Sequence, residues 1–118
     1  MAVDETFTGG LLVYTLSGVK DYRRFLKGGL VVSSELAETA INAADLAVQT
    51  REKYSADIGI AINGQTGDDL EAGLANIAIN SKDGRFNLAA ALSGRPATLR
   101  RRAVIQALFS LRQVLVSR

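Results

Sequence analysis

Ala56-Asp57-Ile58-Gly59-Ile60-Ala61-Ile62 is a short apolar run, closed by Asn63-Gly64. A run of this length, bounded by a turn signal, predicts a strand. Gln65–Ala72 follows as a polar loop around Thr66-Gly67-Asp68-Asp69, and Gly73–Asn80 (GLANIAIN) predicts the next strand. Ser81-Lys82-Asp83-Gly84 is a tight turn, with Asp-Gly as a strong hairpin signal. Arg85–Leu92 (RFNLAAAL) alternates and pairs back as an antiparallel strand.

Working upstream, Ser33-Ser34 supplies an N-cap for a helix from Glu35 to about Tyr54. Its apolar positions Leu36, Ala37, Ala40, Ile41, Ala44, Ala47 and Val48 recur close to the helical period, and Arg51 and Lys53 fall in the last turn, where the helix dipole favours them. Leu26–Val32, with Gly28-Gly29 at its start, reads as a buried strand. Asp21–Arg24 is charged and reads as loop or a single turn. Val3 begins a short strand. Thr8 is placed to cap a short helix from Gly9 to Leu16, with Leu11, Leu12 and Leu16 on its apolar face. Downstream, Pro96 sits in the first turn of a last helix that runs to Val116 and carries Leu99, Ala103, Ala107, Leu111 and Val114 on one stripe. The order β-α-β-α-β-β-β-α predicts an α/β fold, a mixed β-sheet flanked by helices.

With 118 residues, the chain is expected to form a single domain, residues 1–118. A hydrophobic content of 47% against 22% charged residues is that of a globular chain rather than a disordered one. The chain has no cysteine and no histidine. That excludes a disulfide framework, thiolate or imidazole metal sites, a Ser-His-Asp triad and a Cys-His dyad. No metal or cofactor is expected. No apolar run is long enough to span a bilayer, and Met1–Glu5 lacks the basic and apolar segments of a signal peptide, so the expectation is a cytoplasmic protein with no membrane partner.

Charge is divided unevenly. Residues 1–94 hold eight Lys or Arg against twelve Asp or Glu, a balance of −4, whereas residues 95–118 hold six Arg and no acid. A solvated helix face, or an interface with the acidic body of another copy, accounts for the arginines. The alternative is a nucleic-acid contact through Arg95–Arg102, which is disfavoured because no aromatic stacking platform accompanies it.

Without His or Cys, a nucleophile has to be Ser, Thr, Lys or a carboxylate. Glu5-Thr6-Phe7-Thr8-Gly9-Gly10 lies at a strand-to-helix junction, where the N–H groups of Gly9 and Gly10 are placed to hold an oxyanion or a phosphate. The same residues also describe a plain cap and turn. Asn63-Gly64 ends a strand, which is where open α/β sheets bind ligands, and it also describes an ordinary turn. Lys27 accepts a proton only if burial depresses its pKa, and beside Arg23 and Arg24 it reads as a solvated basic cluster. Tyr14, Tyr22 and Tyr54 read as amphipathic packing.

Taken in order, these segments resemble the C-terminal domain of the CinA (competence/damage-inducible) family, whose stand-alone members are nicotinamide-nucleotide amidohydrolases. The family's Glu-Ser-Cys-Thr-Gly-Gly motif stands here as Glu5-Thr6-Phe7-Thr8-Gly9-Gly10. Its aromatic-x-Gly-Gly strand stands as Phe25-Leu26-Lys27-Gly28-Gly29-Leu30-Val31, and its Val-Ser-x-Glu-x-Ala helix start as Val32-Ser33-Ser34-Glu35-Leu36-Ala37. Its Ala-Asp strand with Thr-Gly stands as Ala56–Gly64, and its Arg-x-x-Ala-Val helix as Arg100-Arg101-Arg102-Ala103-Val104.

The departures bear on mechanism. The resemblance places Thr6 where the family has its proposed Ser nucleophile, and Phe7 where it has Cys. The family's Tyr-Ser-x-x-x-Lys segment, thought to assist the nucleophile, has no counterpart between Val32 and Ser33. The Gly-Pro-rich loop after Thr-Gly is replaced by the shorter Gln65–Ala72. Loss of a general base costs about 10²–10⁴-fold. The family's helix before the first strand is also missing, which predicts an open sheet face covered by a homo-oligomer.

The resulting expectation is a CinA-like domain that has lost catalysis and serves as a binding or oligomeric module. Its ligand would be a nucleotide or other phosphate-bearing small molecule, held by Thr8, Gly9, Gly10, Asn63, Gly64 and Arg100. The alternative is an active nicotinamide-nucleotide amidohydrolase with Thr6 as nucleophile and Lys27 as base. A nucleic-acid-associated protein using the basic helix is a further alternative.

Overall fold

Two isoleucine-rich strand faces and one row of alanines decide how the layers stack. The computed structural model describes residues 1–32, 42–66 and 72–116. Five strands, β1 (Ala2–Glu5), β2 (Gly28–Val31), β3 (Ile58–Thr66), β4 (Ala72–Ser81) and β5 (Gly84–Ser93), form one sheet in the order β2-β1-β3-β4-β5. β1 pairs parallel with both β2 and β3, while β3, β4 and β5 are antiparallel. Helices α1 (Leu11–Ser17), α2 (Ala43–Lys53) and α3 (Pro96–Val116) flank the sheet, with a 3₁₀ turn at Tyr22–Arg24. The α/β class and the element order expected from sequence both hold.

Side chains alternate across a strand. Val3, Ile60, Ile62, Ile77 and Ile79 form one face and bury against Leu12 and Leu16 of α1 and Val104 and Leu111 of α3. The opposite face is built small: Ala61 and Ala78 meet Ala43 and Ala47 of α2. Gly59 lets α2 approach closely, since a Cβ there would lie 2.1 Å from the Ala47 carbonyl oxygen.

Several boundaries move from their expected places. The helix expected from Glu35 has its described part at Ala43–Lys53, where Asn42, in an extended conformation, accepts the Asp45 N–H on its side chain. The expected cap at Ser33-Ser34 lies outside the described residues. β2 is not a buried strand. It forms the sheet edge, and Leu30 and Val31 are 39% and 50% exposed. β3 does not stop at Asn63-Gly64; its ladder with β4 continues to Thr66 opposite Gly73, because an antiparallel partner keeps supplying hydrogen bonds past the turn-like dipeptide. The rest of the expected loop, residues 67–71, lies outside the described residues. The β4–β5 hairpin forms as expected, yet none of its turn residues takes a positive φ; Ser81 Oγ accepts the Asp83 N–H instead.

Among the described residues, the large apolar side chains left on the surface, Leu74 of β4 apart, gather in two places. Tyr14, Val19, Leu30 and Val31 lie on and around α1 and β2, and Ile105, Phe109, Leu115 and Val116 lie along α3. No helix among the described residues is long and apolar enough to cross a membrane.

Candidate functional site

The C-terminal ends of the parallel strands carry the junction from Glu5 to Gly10. Glu5 is fully buried, and its carboxylate is the cap of α1. Oε1 accepts the Leu12 N–H at 2.7 Å and the Thr8 hydroxyl, and Oε2 accepts the Val13 N–H at 2.9 Å. This corrects the expected cap. Thr8 does not cap the helix. Gly10 stands at the N-cap position with φ 94°, and the Thr8 hydroxyl is spent on Glu5. A carboxylate on the free N–H groups of a helix start is favourable, since those groups have no partner within the helix.

Gly9 and Gly10 have φ of 66° and 94°, a region that glycine enters without steric cost. Among the described residues, nothing lies within 4 Å of where a Cβ on Gly9 would stand. The backbone there is open to close approach by another group.

Thr6 continues the β1–β3 ladder by one bond, its N–H donating to the Ile62 carbonyl at 3.0 Å. Its hydroxyl, in a residue 5% exposed, donates to the same carbonyl at 3.2 Å. Phe7 packs against Gly64, where an added Cβ would lie 2.9 Å from its ring and 2.8 Å from the Leu74 carbonyl oxygen. Arg100 is exposed near the start of α3. That helix follows the end of β5, which pairs with the start of β4, so Arg100 stands at the same end of the sheet as the Gly9-Gly10 turn.

Lys27 is at the other end. Its backbone N–H donates to the Met1 carbonyl, and its Nζ donates to the Ser55 carbonyl at 3.0 Å on the exposed surface. The fold therefore places Thr6, Thr8, Gly9, Gly10 and Gly64 at one end of the sheet, with Arg100 at that same end beyond β5, and leaves Lys27 at the other. Asn63 is at the Thr6 end on the α2 side of the sheet, because it alternates with Ile62.

Asp4 is a residue the sequence reading passed over. It is 3% exposed, and its Oδ1 has no hydrogen-bond partner among the described residues. Burial pushes its carboxyl above the usual carboxylate range; Lys53 partly offsets the rise and Glu5 adds to it. Two adjacent acids in a four-residue strand, Asp4 and Glu5, were the available signal. Among the described residues no three carboxylates gather as a metal site.

The CinA C-terminal domain model matches residues 33–115. The chain belongs to the CinA C-terminal domain family. It is 32% identical, over 133 aligned residues, to a competence-damage inducible protein of Natranaerobius thermophilus, and 28% identical to a CinA-like protein of Frankia casuarinae. Each alignment covers 98% of this chain but only 33% and 31% of the relative, so the chain spans about a third of the curated relatives it matches. Among solved structures, the CinA superfamily protein of Escherichia coli superposes with a TM-score of 0.82 at 25% identity, covering 96% of this chain and 78% of that one. The competence or damage-inducible protein of Enterobacter asburiae gives 0.81 at 26%, covering 97% and 86%. The Natranaerobius alignment is longer than this 118-residue CinA-type chain, so the relative carries residues that this chain lacks within the aligned region.

Proposed function

We propose that this CinA-type domain binds a small molecule at the rim formed by Thr6–Gly10 and assembles with copies of itself, without hydrolysing an amide. The observation that carries this reading is the separation of Lys27 from Thr6. The two residues flank opposite ends of the β1 pairings, and at about 3.3 Å per strand residue that is roughly 15 Å. A base must reach within hydrogen-bond distance, directly or through one water, of the proton it takes. Lys27 does not, and the Thr6 hydroxyl is turned to a backbone carbonyl. The extra aligned residues of the Natranaerobius relative are in keeping with a base-bearing segment that this chain lacks. Arg100, at that end of the sheet, would anchor an anionic group such as a phosphate, since the α1 N–H groups of Leu12 and Val13 are already taken by Glu5.

One observation favours the second reading, an amidohydrolase with Thr6 as nucleophile. Asp4 lies two residues before Thr6 on the same strand, with an unpartnered carboxylate oxygen and a raised pKa. A carboxylate of that kind is suited to general-base work.

The test is incubation with nicotinamide mononucleotide, following ammonia and nicotinic acid mononucleotide, with Thr6→Ala and Asp4→Asn alongside. The expected result is no release above the Thr6→Ala background. Turnover that vanishes in both variants would establish the second reading instead.

A further inference from the structure

A second cleft lies on the α2 side of the sheet. It has a volume of about 390 Å³ and is lined by Asn42 and Ala43 at the start of α2, Asn63 of β3, Asn76 of β4, and Asn87 and Ala89 of β5. Register explains the gathering. Asn63 stands directly opposite Asn76, and Asn76 opposite Ala89, so Asn87, two residues away, shares their face. Asn42 spends its side-chain oxygen on the Asp45 N–H and keeps its amide N–H groups for other partners. Among the described residues, the side-chain amides of Asn63, Asn76 and Asn87 have no protein hydrogen-bond partner.

Among the described residues, none that lines this cleft is charged. They offer a phosphate or carboxylate no cation, and an ammonium no carboxylate. What the described lining offers is side-chain amides, each a donor beside an acceptor, among Ala43, Ala44, Ile77, Leu88 and Ala89. The complement of an amide edge is a planar ring that carries an acceptor beside a donor, which is the edge adenine presents to asparagine. The size falls within the range of small-molecule sites, which pair an apolar lining with a few placed polar groups.

We propose that this cleft binds an uncharged planar heterocycle of the nucleobase type, held by the amides of Asn63, Asn76 and Asn87. The site shares the Asn63 end of the sheet with the Gly9-Gly10 rim but lies on the α2 face, and it needs no chemistry from Thr6.

The test uses the isotope-labelled full chain, with the unphosphorylated nucleosides adenosine, cytidine and uridine as probes and inorganic phosphate as the contrast. The expected result is saturable movement of the Asn63, Asn76 and Asn87 side-chain amide signals with at least one nucleoside and none with phosphate. Asn76→Ala should weaken that binding about tenfold, the loss expected for one good hydrogen-bonded pair. Asn87→Ala, at an exposed position of an edge strand, serves if Asn76→Ala disturbs the fold. Amide signals that stay still with every nucleoside to its solubility limit, or binding unchanged in both variants, would overturn the proposal. Because no turnover is read, failure here leaves the proposed loss of amide hydrolysis untouched, and the converse also holds.

Discussion

The Glu5 carboxylate and the Leu12 amide meet at 2.7 Å inside the core, fastening the end of β1 to the first turn of α1. Charge-assisted hydrogen bonds of this kind are stronger than neutral ones, and removing one partner strands the others in an apolar setting. Glu5→Gln should lower stability by about 2 kcal/mol, because an amide presents a donor to one of the two helix N–H groups. Denaturant unfolding of the variant checks this. An unchanged midpoint would mean that the cap contributes nothing.

Gly59 should tolerate no side chain. Its added Cβ would stand 2.1 Å from a backbone oxygen of α2 and 2.8 Å from the Arg51 Cβ, so the helix has to move outward as a body. Overpacking of this kind costs about 1–3 kcal/mol and at times more. Gly59→Ala is expected at the upper end of that range, read as a fall in Tm. Gly84→Ala, where nothing lies within 4 Å, is the control.

Asp4 gives a pH dependence with a definite sign. Its carboxyl titrates higher in the folded chain than in the unfolded one, mainly through burial. Its contribution to stability is therefore fully present below the unfolded value of about 4 and is lost as pH rises through the folded value. Asp4→Asn should stabilise the chain at neutral pH and flatten the stability profile above about pH 4. A variant less stable than the parent at neutral pH would show that the ionised carboxylate has a partner in solution.

Self-association should run through the exposed stripe of α3. Ile105, Phe109 and Val116 are 44%, 59% and 76% exposed on that helix, a grouping that marks interaction surfaces. Sedimentation at micromolar concentration should show an oligomer, and Phe109→Asp should shift it toward monomer. A parent chain that sediments as a monomer would remove this part of the proposed function.

The arginines of α3 should bind nucleic acid poorly. Arg100, Arg101 and Arg102 follow one another on a helix and so point about 100° apart, and Arg102 already donates to the Ser93 carbonyl. Retardation of DNA or RNA should be absent at physiological salt. Strong, salt-sensitive retardation would count against this view.

Local patterns were legible where local physics decides. The alternation of Arg85–Leu92, the turn at Ser81–Gly84 and the period of the last helix each depend on residues a few positions apart, and each element formed within a few residues of its expected bounds. The capping role of Glu5 was not legible because its partners are seven and eight residues away in a turn whose path depends on two glycines at positive φ. Thr8, three residues from Glu5, looked like the cap.

By itself, the sequence determined the α/β class, the element order, the family motifs and the exclusion of His and Cys chemistry, because composition and short-range period survive without knowledge of what packs on what. Tertiary structure alone decided that β2 is an edge, that β3 runs through Asn63-Gly64, that Lys27 and Thr6 lie at opposite ends of the sheet, and that three asparagines from three strands share one face. Each of these depends on strand order and register, and a one-residue change of register would send every side chain of a strand to the other face.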